Sequence, residues 1–136
     1  MIERPQPKVT PDAEAYWELV REHGTRSVQR CSDCGSVQFY PRLLCVACGG
    51  PVEQAPVSGR GSIYSFTVVH RPPAGFAELA PYAVALVDLD EGTRAMGRVV
   101  TDDLESVRIG ARVVTIIERT DEGEALPQFA LADAGY

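Results

Sequence analysis

The chain has 136 residues, enough for one ordinary domain or two very small ones. That is too short for a βα-barrel enzyme or a doubly wound dinucleotide-binding fold. Apolar residues make up 45% and charged residues 24%, the balance of a globular chain, and the net charge is −6. Nucleic-acid binding rests on basic surface, and residues 59–136 carry 7 basic groups against 12 acidic ones. No stretch approaches the roughly 20 apolar residues of a membrane helix. The opening Met1-Ile2-Glu3-Arg4-Pro5 has no apolar core of a secretory signal. The expected compartment is therefore the cytoplasm, where thiols stay reduced and four cysteines need an explanation other than disulfides.

Residues 1–9 read as an extended arm, with Pro5, Pro7 and Pro11 opposing helix. Thr10-Pro11-Asp12 predicts a helix start: Thr10 as cap, Pro11 in the first turn, Asp12 and Glu14 at the positive end of the dipole. Ala13, Tyr16, Trp17 and Val20 then form one apolar face. His23-Gly24 ends the helix, with His23 favourable at its C-terminus and Gly24 free to turn left-handed. Tyr16 and Trp17 read as helix-face packing or as a docking surface for another chain, because one short helix has few places to bury an indole.

Two short strands are predicted at 26–30 and 37–40, each joined to a cysteine pair, and 51–58 reads as a linker with two prolines. Strands follow at 61–70, 82–89, 93–101, 111–119 and 125–132. Alternation in the first puts Tyr64, Phe66 and Val68 on one face, where Tyr64 and Phe66 look like core. The second is apolar on both faces and so expected at the centre. Gly97 suggests a bulge or bend, and Asp121-Glu122-Gly123 a hairpin loop. Five such strands with glycines at the bends predict a small closed barrel.

The cysteines carry the most specific signal. Cys31-Ser32-Asp33-Cys34-Gly35 and Cys45-Val46-Ala47-Cys48-Gly49 are two C-x-x-C-G units. The two-residue gap lets both thiolates of a unit face one metal while backbone N–H groups point at the sulfurs, and the glycine allows the tight turn. Cys31, Cys34, Cys45 and Cys48 are the expected ligands of a tetrahedral sulfur site. Zinc fits it, and iron of the rubredoxin type fits the same geometry. Four thiolates leave no open position, so the metal reads as structural. Residues 25–50 have little other core and are expected to unfold without it.

Chemistry beyond the metal is sparse. With all four thiols committed, none remains as a nucleophile, and no Ser/His/Asp set or phosphate-cradling loop is visible. Asp88, Asp90 and Glu91 read as a solvated turn. No catalytic residue is assigned, and the chain looks more like a binding module than a catalyst.

The order of parts resembles a known family. A Trp-bearing helix, two C-x-x-C-G knuckles and a Pro-containing linker precede Ser58-Gly59-Arg60-Gly61-Ser62-Ile63-Tyr64-Ser65-Phe66. Further matching pieces are Pro81-Tyr82-Ala83-Val84-Ala85-Leu86-Val87-Asp88-Leu89, Glu91-Gly92-Thr93-Arg94 and Ile109-Gly110-Ala111-Arg112-Val113. Together they resemble the bacterial and archaeal zinc-ribbon/OB-fold family catalogued as domain-of-unknown-function family 35. The resemblance implies a mainly β chain: N-terminal arm and helix at 1–24, a rubredoxin-like zinc ribbon and linker at 25–58, and a five-stranded OB-fold barrel at 59–136. It implies Zn2+ on the four cysteines and a coenzyme A thioester as bound substrate. It also implies a thiolase-like partner in a hetero-oligomer. Such complexes act as thiolases, acyltransferases or retro-aldolases on steroid side chains, and the partner carries the chemistry. A hotdog-fold enoyl-CoA hydratase is the alternative partner, and a single-stranded nucleic-acid module with Tyr64, Phe66 and Tyr82 as stacking platforms is the competing class. His70 and Arg71, opening the connection to Pro81, are the expected ligand contacts, and Tyr16 and Trp17 the expected partner contacts.

Overall fold

The computed structural model describes residues 8–24, 26–119 and 125–132. Its one α-helix, α1 (Glu14–His23), is entered through a 3-10 turn at Pro11–Ala13. Thr10 does not cap it. The hydroxyl donates to the Asp12 carboxylate instead of accepting from a free backbone N–H, so the proline and the acidic groups mark the start. Gly24 closes the helix as expected, at φ 66°, with its N–H returned to the Val20 carbonyl at 3.1 Å. Ala13, Tyr16 and Val20 are buried, and Trp17 is half-buried. No helix among the described residues is long and apolar enough to cross a membrane.

A three-stranded antiparallel sheet follows, in the order β2-β1-β3, from β1 (Ser27–Cys31), β2 (Val37–Gln38) and β3 (Val52–Pro56). Most of the expected linker at 51–58 is thus a strand, paired with β1 from Ser27↔Pro56 to Cys31↔Val52. The prolines misled: Pro51 lies just before the strand and Pro56 ends it, on the outer strand of the sheet, where a missing N–H is tolerated.

The remaining strands are β4 (Arg60–Val69), β5 (Tyr82–Leu89), β6 (Arg94–Val99), β7 (Arg112–Arg119) and β8 (Ala125–Leu131). They close into a barrel in the order β4-β5-β6-β8-β7. Strand β4 pairs β5 along most of its length and β7 at its start, while β6 meets β8 in parallel at Val99↔Phe129. This is the five-stranded OB arrangement. The hairpin loop expected at Asp121-Glu122-Gly123 lies outside the described residues.

Three expectations about faces need correction. Gly97 is no bulge: it pairs in regular register with Ala85. The irregularity lies between Ile63 and Ser65, at Tyr64. Tyr64 and Phe66 are not core but exposed, while Ile63 is buried. Strand β5 is not covered on both sides either. Ala83, Ala85, Val87 and Leu89 fill the barrel, and Leu86 faces outward. The ribbon joins this core through Val28, with Phe39 and Ala55 packed against it.

Candidate functional site: the four-cysteine centre and the groove beside it

The two knuckles bring four thiols together, with every pair of sulfurs within 4.8 Å. Zinc–sulfur bonds of about 2.3 Å in a tetrahedron require sulfurs about 3.8 Å apart. The pairs Cys31–Cys48 and Cys34–Cys45 stand at 3.5 and 3.7 Å. The knuckles are built as their spacing implies. Gly35 and Gly49 sit at φ 75° and 78°, and each N–H returns to the carbonyl of the first cysteine of its unit. The Asp33 and Cys34 amides approach the Cys31 sulfur at 3.4 Å, and the Ala47 amide approaches that of Cys45 at 3.3 Å. Cys31 and Cys45 are buried, and Cys34 and Cys48 face out.

The surroundings of Cys34 and Cys48 push their thiols in opposite directions. Hydrogen bonding to Ser36, through side chain and backbone, holds Cys34 down to about 6. Cys48 is pulled down by the Gly50 amide, yet the surrounding Cys31, Cys34 and Cys45 push it up to about 12. Without a metal the sulfurs compete for negative charge; a divalent ion lets all four ionise. Four soft donors at tetrahedral spacing fit structural zinc, which would crosslink the two knuckles and leave no coordination position for substrate.

Two buried glutamines hold the second knuckle from behind. Gln29 Nε2 donates to the Arg42 carbonyl at 2.8 Å, and its Oε1 accepts the Arg42 N–H at 2.8 Å. Gln38 Nε2 donates to Gln29 Oε1 and to the Leu44 carbonyl, while its Oε1 accepts the Val46 N–H at 3.0 Å. One side chain thus satisfies backbone groups on both sides of Cys45. Gln38→Leu strands those groups and is expected to destabilise the metal-loaded chain by about 2 kcal/mol. Urea denaturation checks this, and an unchanged midpoint would show the contacts to be dispensable.

Beside the ribbon lies a groove of about 620 Å³, between the helix, the segment after β2 and the outer face of the barrel. Trp17 and Tyr40 form one wall, with Trp17 Nε1 donating to the Tyr40 hydroxyl at 3.0 Å. Leu86 of β5 and Met96 of β6, cross-strand partners, form the other. Leu126 and Pro127 of β8 complete the apolar lining, and Arg26, Arg42 and Arg94 also contribute to it. Beyond Leu86 and Met96 the apolar surface continues to Phe66, and Met96 is 66% exposed. Arg94 lies 3.6 Å over the Tyr64 ring and is held there by Asp88 at 2.6 Å.

Of the residues expected to act, Trp17 and Tyr16 both line the groove, Tyr16 with only 1% of its surface exposed. Tyr16 packs edge-on against Trp17 and Phe39 and, though buried, also borders the groove. His70 and Arg71 are exposed after β4 and are not among the groove's lining residues. The acidic turn is occupied by structural bonds. Asp88 holds Arg94, Asp90 accepts Arg112 bidentately at 2.9 and 2.8 Å, and Glu91 accepts the Ser58 N–H at 3.0 Å. The Arg112 hydrogen bonds hold the Asp90 carboxyl below its usual range. Tyr40, Leu86, Met96 and Arg26 were missed, and only the two-faced apolar character of 82–89 hinted at an exposed surface.

Family models support the same architecture. Residues 27–53 match the "ChsH2, rubredoxin-like zinc ribbon domain" and residues 54–116 the "ChsH2, C-terminal OB-fold domain". A "DUF35 domain-containing scaffold protein" of Methanothermobacter thermautotrophicus is 34% identical over 79% of this chain and 84% of its own length. The chain belongs to the DUF35 family. This DUF35 chain is also 34% identical, over 93% of its length, to a "Probable enoyl-CoA hydratase alpha subunit" of Thermomonospora curvata, of which it spans only 39%. Among solved structures, the "Ltp2-ChsH2(DUF35) aldolase" superposes with a TM-score of 0.82 at 32% identity, covering 93% of this chain and 99% of that one. The DUF35 relatives are thus associated with hydratase- and aldolase-type complexes, and the four-cysteine centre here is the ribbon's metal site.

Proposed function

We propose that this chain is a non-catalytic accessory subunit. It docks a thiolase-like partner and helps hold an acyl-CoA substrate while the partner cleaves or forms a C–C bond. The observation that carries the reading is the outer surface of β5 and β6. OB-folds take their ligands on this face, and here it is apolar, presents Leu86 and Met96, and runs into the groove walled by Trp17 and Tyr40. A rigid indole beside an exposed methionine, with arginines nearby, has the composition of a protein-interface centre. The match to the aldolase chain over 99% of that chain supports this partner class. The hydratase relative supports a hotdog-fold hydratase as the second reading. His70 and Arg71 stay in the proposal as outlying ligand contacts, since OB-folds use such loops.

A nucleic-acid role fits less well. Tyr64 is exposed, but the Arg94 guanidinium covers its ring, and residues 59–136 carry 7 basic groups against 12 acidic ones. Co-purification with a thiolase-like protein, followed by acyl-CoA turnover on the complex, tests the main reading. Met96→Glu and Trp17→Ala are each expected to weaken that complex at least tenfold, or about 1.4 kcal/mol or more. Unchanged affinity in both removes the groove from the interface. Formation of a complex only with a hydratase selects the second reading.

A further inference from the structure

Arg26 lines the groove, but its guanidinium also reaches further into the fold. It directly precedes β1 and so belongs by sequence to the ribbon, yet it is 2% exposed and its guanidinium lies in the barrel. The Cζ sits 4.1 Å over the Phe129 ring of β8. Nε donates to Thr115 Oγ1 of β7 at 3.1 Å, and Nη2 donates to the Pro127 carbonyl of β8 at 3.3 Å. Thr115 and Phe129 face each other in the β7–β8 register, so the side chain grips one rung of the ladder.

The third side is β6. A Cβ at Gly97 would stand 3.0 Å from Arg26 Nη2 and 3.0 Å from two Phe129 ring carbons. A side chain there would crowd both groups. Strands β6 and β8 run parallel at Val99↔Phe129, and two residues back the ladder would bring Gly97 opposite Pro127. Pro127 has no N–H to give. Where that rung would be, the Pro127 carbonyl accepts from Arg26, and the Arg98 N–H is taken by the Gln128 side chain at 3.2 Å.

We infer that Arg26 is the positioning residue of the groove: a ribbon side chain bonded into the β7–β8 ladder beside Gly97 of β6, which so sets how far the ribbon and helix stand from the β5–β6 face. Arg26 contributes to the groove lining itself, together with Tyr16 and Trp17. A buried guanidinium is a poor way to add stability, because an apolar group of similar volume often serves as well or better. What it supplies is direction, since one planar fork binds two strands and stacks on a ring at once. The inference concerns the free chain, and only its consequence for partner binding rests on the proposed function.

Trp17 is the sole tryptophan and stands in the groove wall, so its emission reports the groove directly. The test uses the full metal-loaded chain and three variants: Arg26→Met, Arg26→Lys and Gly97→Ala, the last leaving Arg26 in place but taking its room. Residual dipolar couplings of ribbon and barrel amides are measured beside Trp17 emission. In each variant the two parts are expected to keep their own folds but lose a common alignment frame, with Trp17 emission shifted to the red. Lysine is expected not to rescue. A folded variant with one shared frame and wild-type emission, whatever its melting temperature, overturns the inference. So does failure of both Arg26→Met and Gly97→Ala to fold, which would make Arg26 a stabilising residue and nothing more. A displaced groove with unchanged partner affinity would count against the proposed function and leave this inference standing.

Discussion

Stripping the metal is expected to erase the native amide dispersion of residues 31–50 while the barrel strands keep theirs. The knuckles have almost no apolar interior of their own. Leu43, Leu44 and Val46 face solvent, and the buried residues there are Cys31, Gln38, Pro41 and Cys45. Structural zinc in such peptides contributes an apparent ~10–16 kcal/mol at neutral pH, more than the whole stability of many small domains. The segment that unfolds should be shorter than the 25–50 expected from sequence. Arg26 is bonded to β7 and β8, and Val28 belongs to the barrel's core cluster, so the start of β1 has a second anchor. Cys45→Ser, which removes a buried sulfur, is expected to reproduce the effect. Metal stoichiometry and amide spectra with and without chelator check both claims; native dispersion at 31–50 in metal-free protein would refute them.

Gly61→Ala is expected to cost about 3 kcal/mol, in the upper part of the range for overpacking a filled site. For a chain of this size that lowers the thermal midpoint by about 10 °C. A Cβ at Gly61 would collide with the Asp88 carbonyl oxygen and stand 2.6 Å from Val87 Cγ1. The backbone has nowhere to retreat, because Gly61 lies in the β4–β5 ladder opposite Leu89 and in the β4–β7 ladder opposite Val113. Gly110 is the control. It has φ 89° and open space around the missing side chain, so Gly110→Ala strains only one dihedral and should cost about 1 kcal/mol. Equal melting temperatures for the two variants would show that close approach is not what Gly61 provides.

These two glycines show how much of the molecule was legible beforehand. Both stand in the segments quoted for the family resemblance, Gly61 opening a predicted strand and Gly110 just preceding one. Which one serves a dihedral and which serves a close approach depends on the strand lying across it. The metal centre was fully legible, because a C-x-x-C-G unit is a local device. Its spacing, its positive-φ glycine and its N–H···S contacts all form within five residues. The helix end at Gly24 and the existence of five barrel strands were legible for the same reason.

The faces were not. Alternation shows that a strand has two sides, but only the neighbouring strands decide which is inside. The irregularity at Tyr64 and the closure of β4 onto both β5 and β7 put Tyr64 and Phe66 outside and Ile63 inside. Strand β3 stayed hidden because its partner in the sheet, β1, lies 21 to 29 residues earlier, from Cys31↔Val52 to Ser27↔Pro56, and prolines stand at its two ends. The groove and its arginine lay furthest from reach. Arg26 meets Thr115 and Pro127 across separations of 89 and 101 residues, and no local pattern records such contacts. By itself the sequence determined the four clustered cysteines, the five barrel strands and the family. The tertiary structure decided which apolar residues remain exposed and what holds the ribbon to the barrel, because burial and long-range hydrogen bonding arise only when distant segments meet.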